Sequence, residues 1–206
     1  FSVYKESLSI TLSYNSKLLL YIRNGIFYVI IIQLNLFHFN SKMKKPDSLR
    51  THLLAAVKEL QRDPERMLIF TDKGNVRCTG ASGLSFEYVY DLNFILTEYA
   101  GELDAVMIPL FDWVRVNQSE LLMNLDKNKE AFKFETVILN NNTVDLSLTF
   151  PLTERVIVKR QDDGTLKTSF PDEPQYETVL DAQQMQLIDQ QTGEVLAEWM
   201  SAEPNQ

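Results

Sequence analysis

The sequence predicts an α+β domain: an antiparallel sheet with two helices packed on it, in the order α-β-β-β-α-β-β-β. Three observations predict it. SFEYVYDLNFIL, from Ser85, alternates apolar and polar residues with a period of two. TVDLSLTFPL, from Thr143, does the same, with Val144, Leu146, Leu148, Phe150 and Leu152 on one face. Two other stretches, from Leu49 and from Leu103, space their apolar residues three and four apart, as a helix with one buried stripe does.

In order, Asp47 and Ser48 read as the N-cap of the first helix, after Pro46. Leu49, Leu53, Ala56, Val57 and Leu60 form its stripe, and Pro64 stops it. MLIFT (67–71) is a short strand, Asp72 to Asn75 a turn, and Val76 to Thr79 a second strand. Gly80 to Gly83 break the chain before the long third strand. The second helix runs from about Leu103 to Asn117, and Pro109 either kinks it or marks its start. AFKFETVIL, then TVDLSLTFPL continued by ERVIVKR, then Thr165 to Phe170 supply the last three strands. Pro151 bends its strand or sits at an edge, because proline cannot donate to a ladder. Residues 171–206 read as an acidic linker and tail, in which 185–199 form a small hairpin turning at Thr192 and Gly193 or a peptide that orders on a partner.

Residues 1–42 differ from the rest. They contain no Ala, Pro, Asp or Met, and Phe, Ile, Lys, Asn and Tyr supply 21 of the 42 against 36 of the following 164. Those are the residues of A/T-rich codons. LLLYIRNGIFYVIIIQLNLF (18–37) is long enough for a membrane span, yet Arg23, Asn24, Gly25, Gln33 and Asn35 interrupt it. No small-residue cleavage site follows it. We expect 1–42 to be a spurious upstream extension and the working domain to be 43–170. The alternative is an acidic protein-binding domain anchored in a membrane by residues 18–37.

The 206 residues carry a net charge of -8; from Met43 onward 16 basic residues face 27 acidic ones, a net of -11. So acidic a chain is poorly built to grip nucleic acid, whose affinity comes from Lys and Arg displacing counterions. Cys78 is the single cysteine, so no intrachain disulfide is available. No zinc spacing, phosphate loop or nucleophile elbow is present. His52 reads as an ordinary helix residue, and the acidic pairs Asp162–Asp163 and Asp172–Glu173 lie in turns. The expectation is a protein that is bound rather than an enzyme, with no catalytic, metal or cofactor residues; an unrecognised small-molecule enzyme is the weaker reading.

Three blocks carry a resemblance: KKPDSLRTHLLAAVKEL with the DPERM turn, GLSFEYVYDLNFILTEYAGELDAVMIPLFDWVRVNQSELL, and NNNTVDLSLTFPLTERVIV. Together, from about Lys44 to Arg160, they resemble the GpR family, phage tail completion protein R of peduovirus-like temperate phages. The resemblance implies a structural virion role: finishing the head-proximal end of a contractile tail tube so that the tail joins the head. It implies the tail tube protein and a companion completion protein as partners, assembly in the bacterial host cytoplasm, and residence in the virion tail. By analogy with tail terminators it implies a homo-oligomeric ring, with DNA passing nearby but not specifically bound. A negative lumen would keep phosphates from sticking. A closed ring needs head-to-tail contacts. Candidate interface residues are Asp72, Lys73, Asn75 and Arg77, the Gly80–Gly83 loop, exposed strand edges, and the pair Glu154 and Arg155.

Overall fold

The computed structural model describes residues 9–12, 16–23, 26–33, 43–78, 83–139, 142–175 and 181–202; for the first three segments, and for Asp72, only the backbone is described. The chain divides into two compact units, Phe1–Asn40 and Ser41–Gln206. The first unit holds β1 (Ser9–Leu12), β2 (Ser16–Arg23) and β3 (Ile26–Gln33), an antiparallel meander. Within the apolar stretch 18–37, residues 18–23 and 26–33 are strand. Among the described residues no helix is long and apolar enough to cross a membrane.

The second unit begins with α1 (Lys44–Ala56), α2 (Lys58–Arg62) and a 3-10 turn (Pro64–Arg66). β4 (Met67–Cys78) and β5 (Phe86–Tyr99) follow, then α3 (Asp104–Asn117), α4 (Glu120–Met123) and α5 (Leu125–Ala131). β6 (Lys133–Ile138), β7 (Val144–Arg160) and β8 (Leu166–Ser169) complete the sheet, and β9 (Gln184–Ile188) with β10 (Val195–Met200) form a C-terminal hairpin. The main sheet runs β4-β5-β7-β6, with β8 on the far end of β7, and every pairing is antiparallel. The predicted α+β class holds, with differences in detail.

The alternating faces of β5 and β7 explain the core. Tyr90, Leu92, Phe94 and Leu96 lie opposite Leu152, Phe150, Leu148 and Leu146, all buried. Leu49, Leu53, Val106, Leu110, Trp113 and Val114 cover them from α1 and α3. Trp113 Nε1 donates to Ser48 Oγ at 3.1 Å, which ties the two helices together.

Four local expectations change. Asp47 and Ser48 do not cap α1; the helix starts at Lys44 and places Pro46 in its first turn, where a missing N–H is tolerated. Asp72 to Asn75 is not a turn. Asp72 and Lys73 lie in a bulge inside one continuous β4, with the register shifting between Thr71 and Gly74 and Gly74 and Asn75 back in the ladder, so two predicted strands are one. A side chain at Gly74 would crowd the neighbouring strand, since a Cβ would lie 3.0 Å from Tyr90 Cβ and 3.0 Å from the Val89 carbonyl oxygen. Pro109 is inside α3, five residues past its first, and does not mark its start. The segment after Asn117 forms α4 and α5, the latter capped by Asn124, whose side chain accepts from Asp126 N (3.0 Å) and Lys127 N (3.1 Å).

Pro151 sits on an open stretch of β7. β6 pairing ends at Thr149 and β8 pairing begins at Ile157, so no strand lies beside it on that side. The hairpin turns at Gly193, with φ 74, and its N–H donates to Asp189 O at 2.8 Å. β10 packs on α1 and α3 with Ala197 and Trp199 buried. Asp112 on α3 anchors it, accepting from Trp199 Nε1 (3.1 Å) and Ala202 N (2.8 Å).

Candidate interaction surface

The first turn of α1 is closed from outside the helix. Its N-cap, Met43, makes no side-chain cap bond. Glu154, 110 residues away on β7, takes that role: Oε2 accepts from Lys44 N and Oε1 from Lys45 N, both at 3.0 Å. Tyr90 Oη donates to the same Oε1 at 2.5 Å. The carboxylate is 4% exposed and faces the positive end of the helix dipole. Glu154 was expected at the surface with Arg155. The structure corrects this: its register puts it on the buried face with Leu152 and Val156, where it is a structural clamp.

A strap crosses next to this clamp. Lys45 Nζ donates to Glu173 Oε1 at 2.9 Å and to Gln118 Oε1 at 2.8 Å, a nearly enclosed ion pair. Arg155 Nη2 donates to Asp172 O at 3.1 Å, and Gln175 Nε2 to Val116 O at 3.0 Å. Lys44 Nζ lies 4.6 Å from the centre of the Phe170 ring. Gln118 also serves the open stretch of β7, accepting from Thr153 N at 3.1 Å. The acidic segment after β8 is thus fixed to the domain as far as Gln175.

The opposite face of the sheet carries one row of charge. Arg77 pairs with Glu87, and Glu87 with Arg155, so three strands align basic, acidic and basic side chains. These residues border a groove of about 710 Å³, whose other wall includes Gln118, Glu120, Lys127 and Glu130. Among the predicted interface residues, Lys73, Asn75 and Arg77 are exposed on β4 and Arg155 is half-buried. The row brings Arg77 and Arg155 together with Glu87, which the sequence reading had not singled out. Asp72's side chain and residues 79–82 lie outside the described residues; Gly83 is half-buried.

Perturbed groups follow burial here. Desolvation lowers the Lys45 pKa, opposed by the charge and hydrogen bond of Glu173. Burial raises the Tyr90 phenol far above its ordinary value, aided by the Glu154 charge beside it. Burial raises Tyr99 as well, with Glu59 and Glu102 adding to the effect. Burial also lowers the His52 pKa; its Nε2 lies 3.1 Å from Pro109 O. Among the described residues no group of three or more His, Cys, Asp or Glu side chains could hold a metal ion. The geometry is that of a scaffold with charged faces and strand edges, suited to being bound.

The comparisons give the class of protein, a structural component of a phage tail. The family model of P2 phage tail completion protein R (GpR) matches residues 43–174. Tail completion protein R of Escherichia phage P2 is 34% identical over 157 residues, covering 76% of this chain and 99% of that protein. No solved structure matches. The chain belongs to the P2 phage tail completion protein R family, and its role is structural, in completing a phage tail.

Proposed function

We propose that this protein caps the head-proximal end of a contractile tail tube and so prepares the tail to join a DNA-filled head. The observation that carries the reading is the family match, which spans the clamp, the sheet and the strap up to residue 174. In this reading the tube protein and a companion completion protein are its partners, and several copies form a closed ring. Assembly takes place in the bacterial host cytoplasm, and the product stays in the virion tail. The protein works by binding and has no catalytic activity. Lys73, Asn75, Arg77 and Arg155 take part in contacts between copies or with the tube; Glu154 acts indirectly, by holding α1.

In this proposal the working protein starts at Met43. This start is supported by the family match beginning at residue 43 and by the composition of residues 1–42. Intact mass of the protein made in its natural host tests it: a chain that retains residues 1–42 refutes the start site. The net of -11 from Met43 onward fits a tube opening that must pass DNA without holding it.

The function is tested by complementation. A phage lacking its own completion protein R, supplied with this chain, should yield tails of normal length that join heads. Tails that remain unjoined, with this protein folded and abundant, would contradict the proposal.

A further inference from the structure

The main sheet leaves two edges without a strand neighbour among the described residues, the outer sides of β4 and β6. Four strands in antiparallel order place the two edge strands in opposite directions. The β6 edge of one copy set beside the β4 edge of the next therefore pairs antiparallel and continues the alternation, without reversing any subunit.

The ladder identifies the groups that point outward. Thr153 N bonds Gln118 and not β5, so odd-numbered β7 residues face away from β5 and toward β6. Alternation then turns Lys133, Glu135 and Val137 toward β7 and leaves the backbone groups of Phe134, Thr136 and Ile138 facing out. Carried through β5, the same alternation sets Asn75 and Arg77 against β5 and leaves Gly74, Val76 and Cys78 facing out.

Side chains agree. Phe134 lies opposite Leu148, and Val76 opposite Tyr88, so both belong to the helix-covered face. Yet Phe134 is 66% exposed, Ile138 84% and Val76 62%: the apolar face continues past the helices at both edges. Setting Thr136 opposite Val76 puts Ile138 over Gly74, which has no side chain to obstruct it. On the open face the same register puts Glu135 opposite Arg77, and the row Arg155–Glu87–Arg77 gains a fourth, acidic member from the neighbour. The bulge between Thr71 and Gly74 limits the pairing to Gly74–Cys78, the last five residues of β4.

We propose that copies of this chain join head to tail by pairing the outer edge of β6 with the Gly74–Cys78 edge of β4, Thr136 opposite Val76 and Glu135 opposite Arg77. The inference rests on the ring-forming cap proposed above and supplies its interface. A contact of this kind is heterologous, the type that closes rings.

The test uses the full chain with Cys78→Ser. Adding Val76→Cys and Thr136→Cys together should give, on oxidation, a ladder of covalent multimers that ends at a closed ring. Each cysteine alone should give no ladder, and a mixture of the two single variants should give covalent dimers. Independently, Arg77→Glu and Glu135→Arg should each weaken self-association about tenfold or more, and the two combined should restore it, with far-UV circular dichroism unchanged. Wild-type rings without the ladder, or dimers from a single-cysteine variant, overturn the pairing while leaving the capping function standing. A wild-type chain that stays monomeric on tail tubes overturns both.

Discussion

Removing the Glu154 carboxylate should destabilise the domain more than any surface change. Glu154→Ala strips partners from Lys44 N, Lys45 N and Tyr90 Oη at once. A buried donor left bare costs about 1–3 kcal/mol. The charge at the helix N-terminus is worth about 0.3–2 kcal/mol more. Lys44 N is only partly buried and recovers water, so the low end applies to it. Taking the remaining terms near their low ends as well gives a total of about 4 kcal/mol. For a chain of this size each kcal/mol moves Tm by about 2–4 °C, giving a fall of about 8–16 °C. Glu154→Gln keeps the shape and one acceptor oxygen but loses the charge, and about half that fall is expected. The assay is thermal unfolding by circular dichroism at pH 7. A Glu154→Ala shift below about 2 °C, or a Gln variant worse than Ala, would refute the clamp.

Two further perturbations are as specific. Tyr90 and Tyr99 keep their protons in the fold above the ordinary value of 10.0, where the unfolded chain loses them, so the stability they supply is present below pH 10 and is lost as pH rises beyond it. Lys45 runs the other way: its lowered pKa means the unfolded chain binds the extra proton, and the penalty of burying its charge eases as pH approaches 10.5. With two phenols against one amine, stability should drop above pH 10, and Tyr90→Phe should flatten that drop in urea titrations followed across pH 8–11. Asp112→Ala removes the acceptor for Trp199 Nε1 and Ala202 N, costing about 1–3 kcal/mol. The C-terminal hairpin should release first, seen as a red shift of Trp199 fluorescence at urea concentrations where the sheet is still intact.

Regular features were the legible ones. The period-two faces of β5 and β7 and the stripes of α1 and α3 are set by local patterning, and the structure buries those faces. The hairpin turn at Gly193 was legible because a left-handed residue there favours glycine. Features set by distant partners were not. The start of α1 depends on a carboxylate 110 residues away, and no local cap marks it. Lys73–Gly74 looks like a turn signal, but whether such a glycine turns or bulges depends on how closely the neighbouring strand approaches. Glu154 could have been found: it keeps the parity of Leu146, Leu148, Phe150 and Leu152, so a strand running to Arg160 had to turn it inward. Reading Glu154 and Arg155 as a surface pair ignored that parity. The Arg77–Glu87–Arg155 row needed the register of three strands, which composition does not carry.

The central claim is that this chain completes a phage tail by capping its tube. The direct measurement is electron microscopy of tail tubes purified from a phage that lacks its completion protein R, incubated with the full chain and, separately, with Met43–Gln206. The account predicts a ring of this protein on one end of each tube, the end that joins the head, with a lumen that is not basic. Protein bound along the tube sides, on both ends alike, or nowhere would contradict it.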